Sequence, residues 1–115
     1  MTEPTIDPAT FAELQENAGA EFVVELVDTF LAEAPLMLDD LRSALAASDA
    51  DRFRRAAHSL KSNANTFGAL PLGALARELE LTGLDCALAA GAGPLDALAG
   101  EYARVAVALA ELRDA

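Results

Sequence analysis

At 115 residues, 53% of them hydrophobic, the chain fits one domain (residues 1–115) and can bury about 65% of the surface its unfolded form exposes. Nineteen acidic against eight basic residues leave a net charge of -11, which repels phosphate backbones and anionic lipid and argues against nucleic-acid or membrane-surface binding. The single cysteine, Cys86, excludes an internal disulfide and suits a reducing cytoplasm, "MTEPTIDPATF" has neither the basic start nor the apolar stretch of a signal peptide, and no apolar run approaches the ~18 residues of a membrane span. The expectation is a cytoplasmic protein whose partners are proteins, and the starting methionine favours a free-standing chain over a piece of a hybrid kinase.

Many Ala and Leu residues and few β-branched ones favour helices. Asp7 followed by Pro8 reads as an N-cap with proline at N1, stapled by Ile6 and Phe11, and the short helix it opens ends near Asn17, before Gly19. From Ala20, the residues Phe22, Val23, Leu26, Val27, Phe30, Leu31, Ala34, Leu38, Leu41 and Leu45 keep helical spacing past Pro35. The stripe resumes without a loop signal, so the reading is one long helix kinked near residue 35, with two helices as the fallback. Ser48, Asp49 and Asp51 supply the cap and first-turn acid of a helix over 50–67, which Gly68 ends. Pro71 opens a fourth, with Leu72, Leu75, Leu79 and Cys86 on one face. After "GAGP" at 91–94, the residues Leu95, Leu98, Tyr102, Val105, Leu109 and Leu112 mark a last helix. The expected fold is all-α: an antiparallel up-down-up-down four-helix bundle with a short additional N-terminal helix packed across one end.

The only histidine, His58, lies in the third helix. Phe53, Ala57, Leu60, Ala64 and Phe67 are spaced 4, 3, 4, 3 and form the inward stripe. At about 100° per residue, His58 sits roughly 140° from the centre of that stripe and faces solvent. Arg54, Arg55, Lys61, Ser62 and Asn65 fall within about 60° of it, with Lys61 and Ser62 leaning back toward the ring. From Arg52 to Arg77 there is no acid, and five of the eight basic residues fall there. A locally basic face in an acidic protein suits an anion on the histidine, or a partner with an acidic pocket. A neutral imidazole there can attack an activated phosphoryl group, and Lys61 can partly neutralise the charge near -2 that arrives.

Duller readings remain for each feature alone, since a lone histidine or a basic helix flank is commonly just a solvated surface. One histidine, one cysteine and no Glu-x-x-His pair offer no metal set, so no metal is expected. Ser59 and Ser62 beside His58 on one helix lack the strained turn, orienting acid and oxyanion hole of a hydrolase. No glycine-rich phosphate loop is present, so the chain is not expected to use ATP itself.

The stretch "AAHSLKSNANTFGA", residues 56–69, resembles the His-x-Leu-Lys-small pattern, ending in an apolar residue and glycine, of the histidine-containing phosphotransfer (HPt) domains of multistep two-component phosphorelays. Asp49, the "RRAAH" approach and "ALARELE" at 74–80 support the resemblance, which extends through the helical layout over nearly the whole chain. The resemblance implies a four-helix bundle in which His58 accepts the phosphoryl group and Lys61 is the cation beside it. Ser62 is then a small residue that lets the partner approach, where glycine is frequent in the family. Leu60 belongs to the core, and Gly68 serves helix termination and close packing. Arg54, Arg55, Ser62 and Asn65 are the expected partner-binding residues. Asn63 and Asn65 are larger and more polar than the usual serine or alanine, and Asn65 is placed to meet the phosphate or bear on receiver choice.

Implied partners are response-regulator receiver domains and a histidine kinase, hybrid or not. The catalytic Mg²⁺ is expected in the receiver, and no cofactor in this chain. The resemblance implies a monomeric carrier that takes phosphoryl from a receiver aspartate or kinase and passes it to another receiver. The alternative is a degenerate bundle that only binds partners, against which the intact His58 and Lys61 argue.

Overall fold

Asp7 starts the first helix as its side chain predicts: the carboxylate accepts from the Thr10 backbone N–H at 3.2 Å, and Pro8 takes the first helical position. In the computed structural model, which describes residues 4–91 and 93–114, five helices follow in chain order. They are α1 (Pro8–Ala18), α2 (Ala20–Ala47), α3 (Ala50–Thr66), α4 (Leu70–Ala90) and α5 (Gly93–Asp114). Helices α2 to α5 form the antiparallel bundle, each packed on the next and α5 closing back onto α2. Helix α1 lies against α2 and α3. Ile6 and Phe11, the predicted staple, are both buried.

Helix α2 is one continuous helix with Pro35 inside it, so the two-helix fallback falls. Pro35 sits on the exposed side while Ala34 beside it is fully buried, and the core-facing stripe of Val23, Val27, Phe30, Ala34, Leu41 and Ala44 passes through without interruption. Phe22, expected on the stripe, is 50% exposed because it falls one residue outside that run. Phe30 packs on Phe67, which caps the end of α3, and edge-on against Tyr102 of α5, with ring centroids 5.3 and 6.0 Å apart. This aromatic cluster ties three helices together behind the site.

The turn from α2 to α3 needs only two residues. Ser48 adopts a left-handed conformation, and Asp49 caps α3 by accepting from the Arg52 backbone N–H at 3.1 Å. At the other end of α3, Gly68 has φ +81 and its carbonyl accepts from the Asp7 backbone N–H at 2.8 Å. A Cβ there would lie 3.0 Å from the Asp7 carbonyl oxygen and 2.9 Å from Thr10 Cβ, so only glycine lets the start of α1 close over this end.

Two expectations for the second half of the chain need correction. Helix α4 breaks its helical backbone at Gly83 (φ 79, ψ -177), a conformation in which side-chain-bearing residues are strained. The break resets the helical register: Leu72, Ala76 and Leu79 are buried before it and Leu84 and Ala87 after it, which leaves Cys86 exposed instead of on the inner face. In α5, Leu95, Leu98, Val105 and Leu109 are buried as expected, but Leu112 near the helix end is exposed. Glu101 is buried among these apolar residues, its carboxylate taking two hydrogen bonds from Arg104 at 3.2 and 2.7 Å.

Candidate functional site

Helix α3 presents His58 by fixing its opposite side. Phe53, Ala57, Leu60 and Ala64 are fully buried and Phe67 nearly so, so the 4, 3, 4, 3 stripe predicted as core is core at every position. Burying side chains such as Phe53 and Leu60 stabilises the helix orientation by about 1.5–3 kcal/mol each. The imidazole, on the far side of the helix, is 60% exposed, as the periodicity predicts. The site is thus an exposed imidazole on a rigid support, approachable from solvent.

A residue that the sequence did not single out completes it. Glu80 reaches from α4 and bridges the two α3 side chains: its Oε2 meets His58 Nδ1, and its Oε1 accepts from Lys61 Nζ at 2.8 Å. Lys61 and Glu80 are 22% and 14% exposed, so this bridge lies under the imidazole, not out in solvent. The Lys61 hydrogen bond holds the Glu80 carboxyl below its ordinary range, burial opposes this, and the contact with His58 lowers it further. At neutral pH Glu80 is therefore ionised and can only accept. In the neutral ring the hydrogen is assigned on that ground to His58 Nδ1, which leaves the lone pair on Nε2. Of the two ring nitrogens, Nε2 is the one able to attack an electrophile.

The expected basic face is more nearly neutral than the run of residues suggested. Arg54 and Arg55 are exposed, as expected, but both are paired with Asp51, at 2.8 and 3.0 Å. Arg52 is bound to Asp40 of α2 at 2.5 Å, and Lys61 to Glu80. The acid-free interval in sequence ends at Asp51 on one side and Glu78 on the other, and folding brings carboxylates from α2 and α4 back onto it. Ser62 is exposed one turn from His58, and Leu60 and Gly68 are buried as expected. Asn65, two turns along from His58, is exposed with its amide oxygen turned onto α4, so that a Cβ on Gly73 would lie 2.1 Å from it. Asn63 is bound to its own helix, donating to the Ser59 carbonyl at 2.8 Å.

Beside His58, on the side of α2, a shallow polar groove of about 370 Å³ is lined by Met37, Asp40, Arg52, Arg55, Ala56 and Ser59. Leu36, one turn from Asp40, is 64% exposed. Among the described residues, no three His, Cys, Asp or Glu side chains gather as a metal site would need, and no helix is long and apolar enough to cross a membrane.

A family model for the Hpt domain matches residues 25–115. Among solved structures, the chain is similar to the crystal structure of histidine-containing phosphotransfer protein B (HptB) from Pseudomonas aeruginosa PAO1. The match has 29% identity and a TM-score of 0.85, covering 98% of this chain and 97% of that one. No curated protein matches the chain.

Proposed function

The chain belongs to the Hpt domain family, and from its phosphorelay histidine phosphotransfer role we propose that His58 is the residue that carries the phosphoryl group, through Nε2. The observation that supports this reading is the only histidine in the sequence standing exposed on α3 with Nδ1 engaged by Glu80 and Nε2 left as the nucleophile. Family members are phosphocarriers and not enzymes with an ATP site of their own. For this chain, the phosphoryl donor is accordingly a receiver aspartate or a kinase, and the acceptor another receiver.

In this reading Nε2 attacks phosphorus in line as the bond to the donor oxygen breaks, and the Mg²⁺ that neutralises charge in the transition state belongs to the receiver. Lys61, bound to the same Glu80 carboxylate that meets the ring, neutralises part of the incoming charge. The receiver docks over Ser62, Arg54, Arg55 and the groove toward α2, with exposed Leu36 as an apolar rim. Asn65 borders that surface and bears on which receiver is accepted. A small, transient interface between one copy of the chain and one receiver suits a carrier that must release its partner after each transfer.

The test is transfer from a phosphorylated receiver in the presence of Mg²⁺. Wild type is expected to acquire label that is acid-labile and alkali-stable, and His58→Gln none. Undiminished label on His58→Gln would refute the assignment. A chain that binds receivers yet takes no label would instead be an interaction module, a reading that His58 and Lys61 argue against.

A further inference from the structure

The contact between Glu80 and His58 bears on the phosphorylated state as well as the empty one. When the ring is in its neutral, nucleophilic form the charges of the empty site balance, Lys61 carrying one positive charge and Glu80 one negative, the two joined at 2.8 Å. When Nε2 forms its bond to phosphorus, the electron pair of the breaking P–O bond leaves with the donor carboxylate, and nothing in that step removes the hydrogen on Nδ1. The product ring is an imidazolium bearing phosphoryl on Nε2 and hydrogen on Nδ1. Ordinarily such a ring gives up the Nδ1 proton readily, and the neutral phosphoimidazole that remains is a poorer phosphoryl donor, because its leaving nitrogen departs as an anion.

We propose that Glu80 is a positioning residue that keeps one proton on His58 Nδ1 in both states, so that phosphoryl enters and leaves at Nε2 with no proton transferred in either direction. The inference rests on His58 being the phosphoryl acceptor. The geometry that carries it is a carboxylate held in place from a different helix, 14% exposed, with one oxygen on Nδ1 and the other anchored by Lys61. The anchor keeps Glu80 ionised and fixed, so its charge favours the cationic ring directly. The other charged groups around α3 do not compete for Nδ1: Arg54 and Arg55 are held by Asp51, and Asp40, on the α2 side of the groove, is held by Arg52. Stabilising the imidazolium holds the ring in the form from which phosphoryl departs as from a neutral leaving group, a property that suits a carrier working in both directions.

The test uses phosphoramidate, a small-molecule donor that bypasses the receiver, and follows the ring nitrogens of ¹⁵N-histidine-labelled protein by NMR across a pH series, before and after phosphorylation. In wild type, Nδ1 is expected to stay protonated after phosphorylation through neutral and mildly alkaline pH. In Glu80→Gln the midpoint of its deprotonation is expected to fall by about one to three pH units, the range an adjacent opposite charge commands. Glu80→Asp, which keeps the charge at shorter reach, is expected to lie between them. Circular dichroism of each variant verifies the fold, and the wild-type series stands alone if a variant fails it. Normal phosphorylation of His58 with Nδ1 unprotonated in wild type at neutral pH, or with the same midpoint in wild type and Glu80→Gln, overturns this inference and leaves the acceptor assignment standing. Absence of phosphoryl on wild-type His58 overturns both.

Discussion

Before Gly83, α4 is regular, buries Leu72, Ala76 and Leu79, and sends Glu80 across to α3. After Gly83 it re-enters a helix in a new register and leaves Cys86 and Leu88 exposed. The pairing of α3 with α4 is the most extensive in the bundle. The site thus lies where two regular helices press together, and the irregular backbone is kept one turn beyond it. Glu80 can hold a fixed position on His58 because Ala76 and Leu79, just before it in α4, are locked into the core. The far end of α4 has no such demand on it, and an open apolar groove between it and α5, lined by Leu79, Cys86, Ala87 and Pro94 among others, is the result.

The contrast can be broken most forcefully at its support. Leu60→Ala removes a fully buried side chain directly behind His58 and is expected to cost about 2–5 kcal/mol, whereas Leu88→Ala at the far end, 47% exposed, stays within about 0.5 kcal/mol. Urea denaturation of the two variants compares them, and equal losses would mean that the two ends are packed alike. Next is the break itself. Gly83→Ala puts a side chain on φ 79, ψ -177, where nothing lies within 4 Å but the backbone is strained, and is expected to cost about 1–3 kcal/mol. Transfer to His58 should survive that change, since Glu80 lies on the near side of the break.

A smaller effect comes from acid. The folded-state carboxyl of Glu80 is depressed, so the stability it contributes is fully present above its ordinary value of 4.5 and is lost as pH falls through the lowered one. Melting temperatures of wild type and Glu80→Gln should therefore differ at pH 7 and converge as pH is taken down toward 3. A gap that persists in acid would show that Glu80 acts by packing alone. The smallest expected change is Asn65→Ala, which removes an exposed side chain lying over Gly73 and should alter stability by no more than about 0.5 kcal/mol. Its effect is sought in the ratio of transfer rates to different receivers, and an unchanged ratio would remove Asn65 from the docking surface.

What could be read from the sequence follows the same division. Regular helices announce themselves by period: the stripe from Phe53 to Phe67 is core throughout, and the outward direction of His58 follows from it by arithmetic. The caps at Asp7 and Asp49 and the end of α3 at Gly68 were legible because each has a local chemical signature. Gly83 has none, since one glycine in an apolar helical pattern does not say whether the helix passes through it, and the placement of Cys86 failed there. Glu80 was hidden for a different reason. It is one of 19 acidic residues and lies 22 positions from His58, so only the packing of α4 on α3 selects it. The basic face was overread because counting only the acid-free interval omits Asp51 just before it, which pairs with Arg54 and Arg55, and the carboxylates of Asp40 and Glu80 that neighbouring helices fold against it.

The central claim is that α3 presents His58 while Glu80 of α4 occupies Nδ1, so that Nε2 is the reacting atom. The most direct measurement is the coupling between ³¹P and ¹⁵N in protein labelled at histidine and phosphorylated by a receiver. The account predicts phosphorus coupled to Nε2 of His58. Coupling to Nδ1, or phosphoryl carried on another residue, would contradict it.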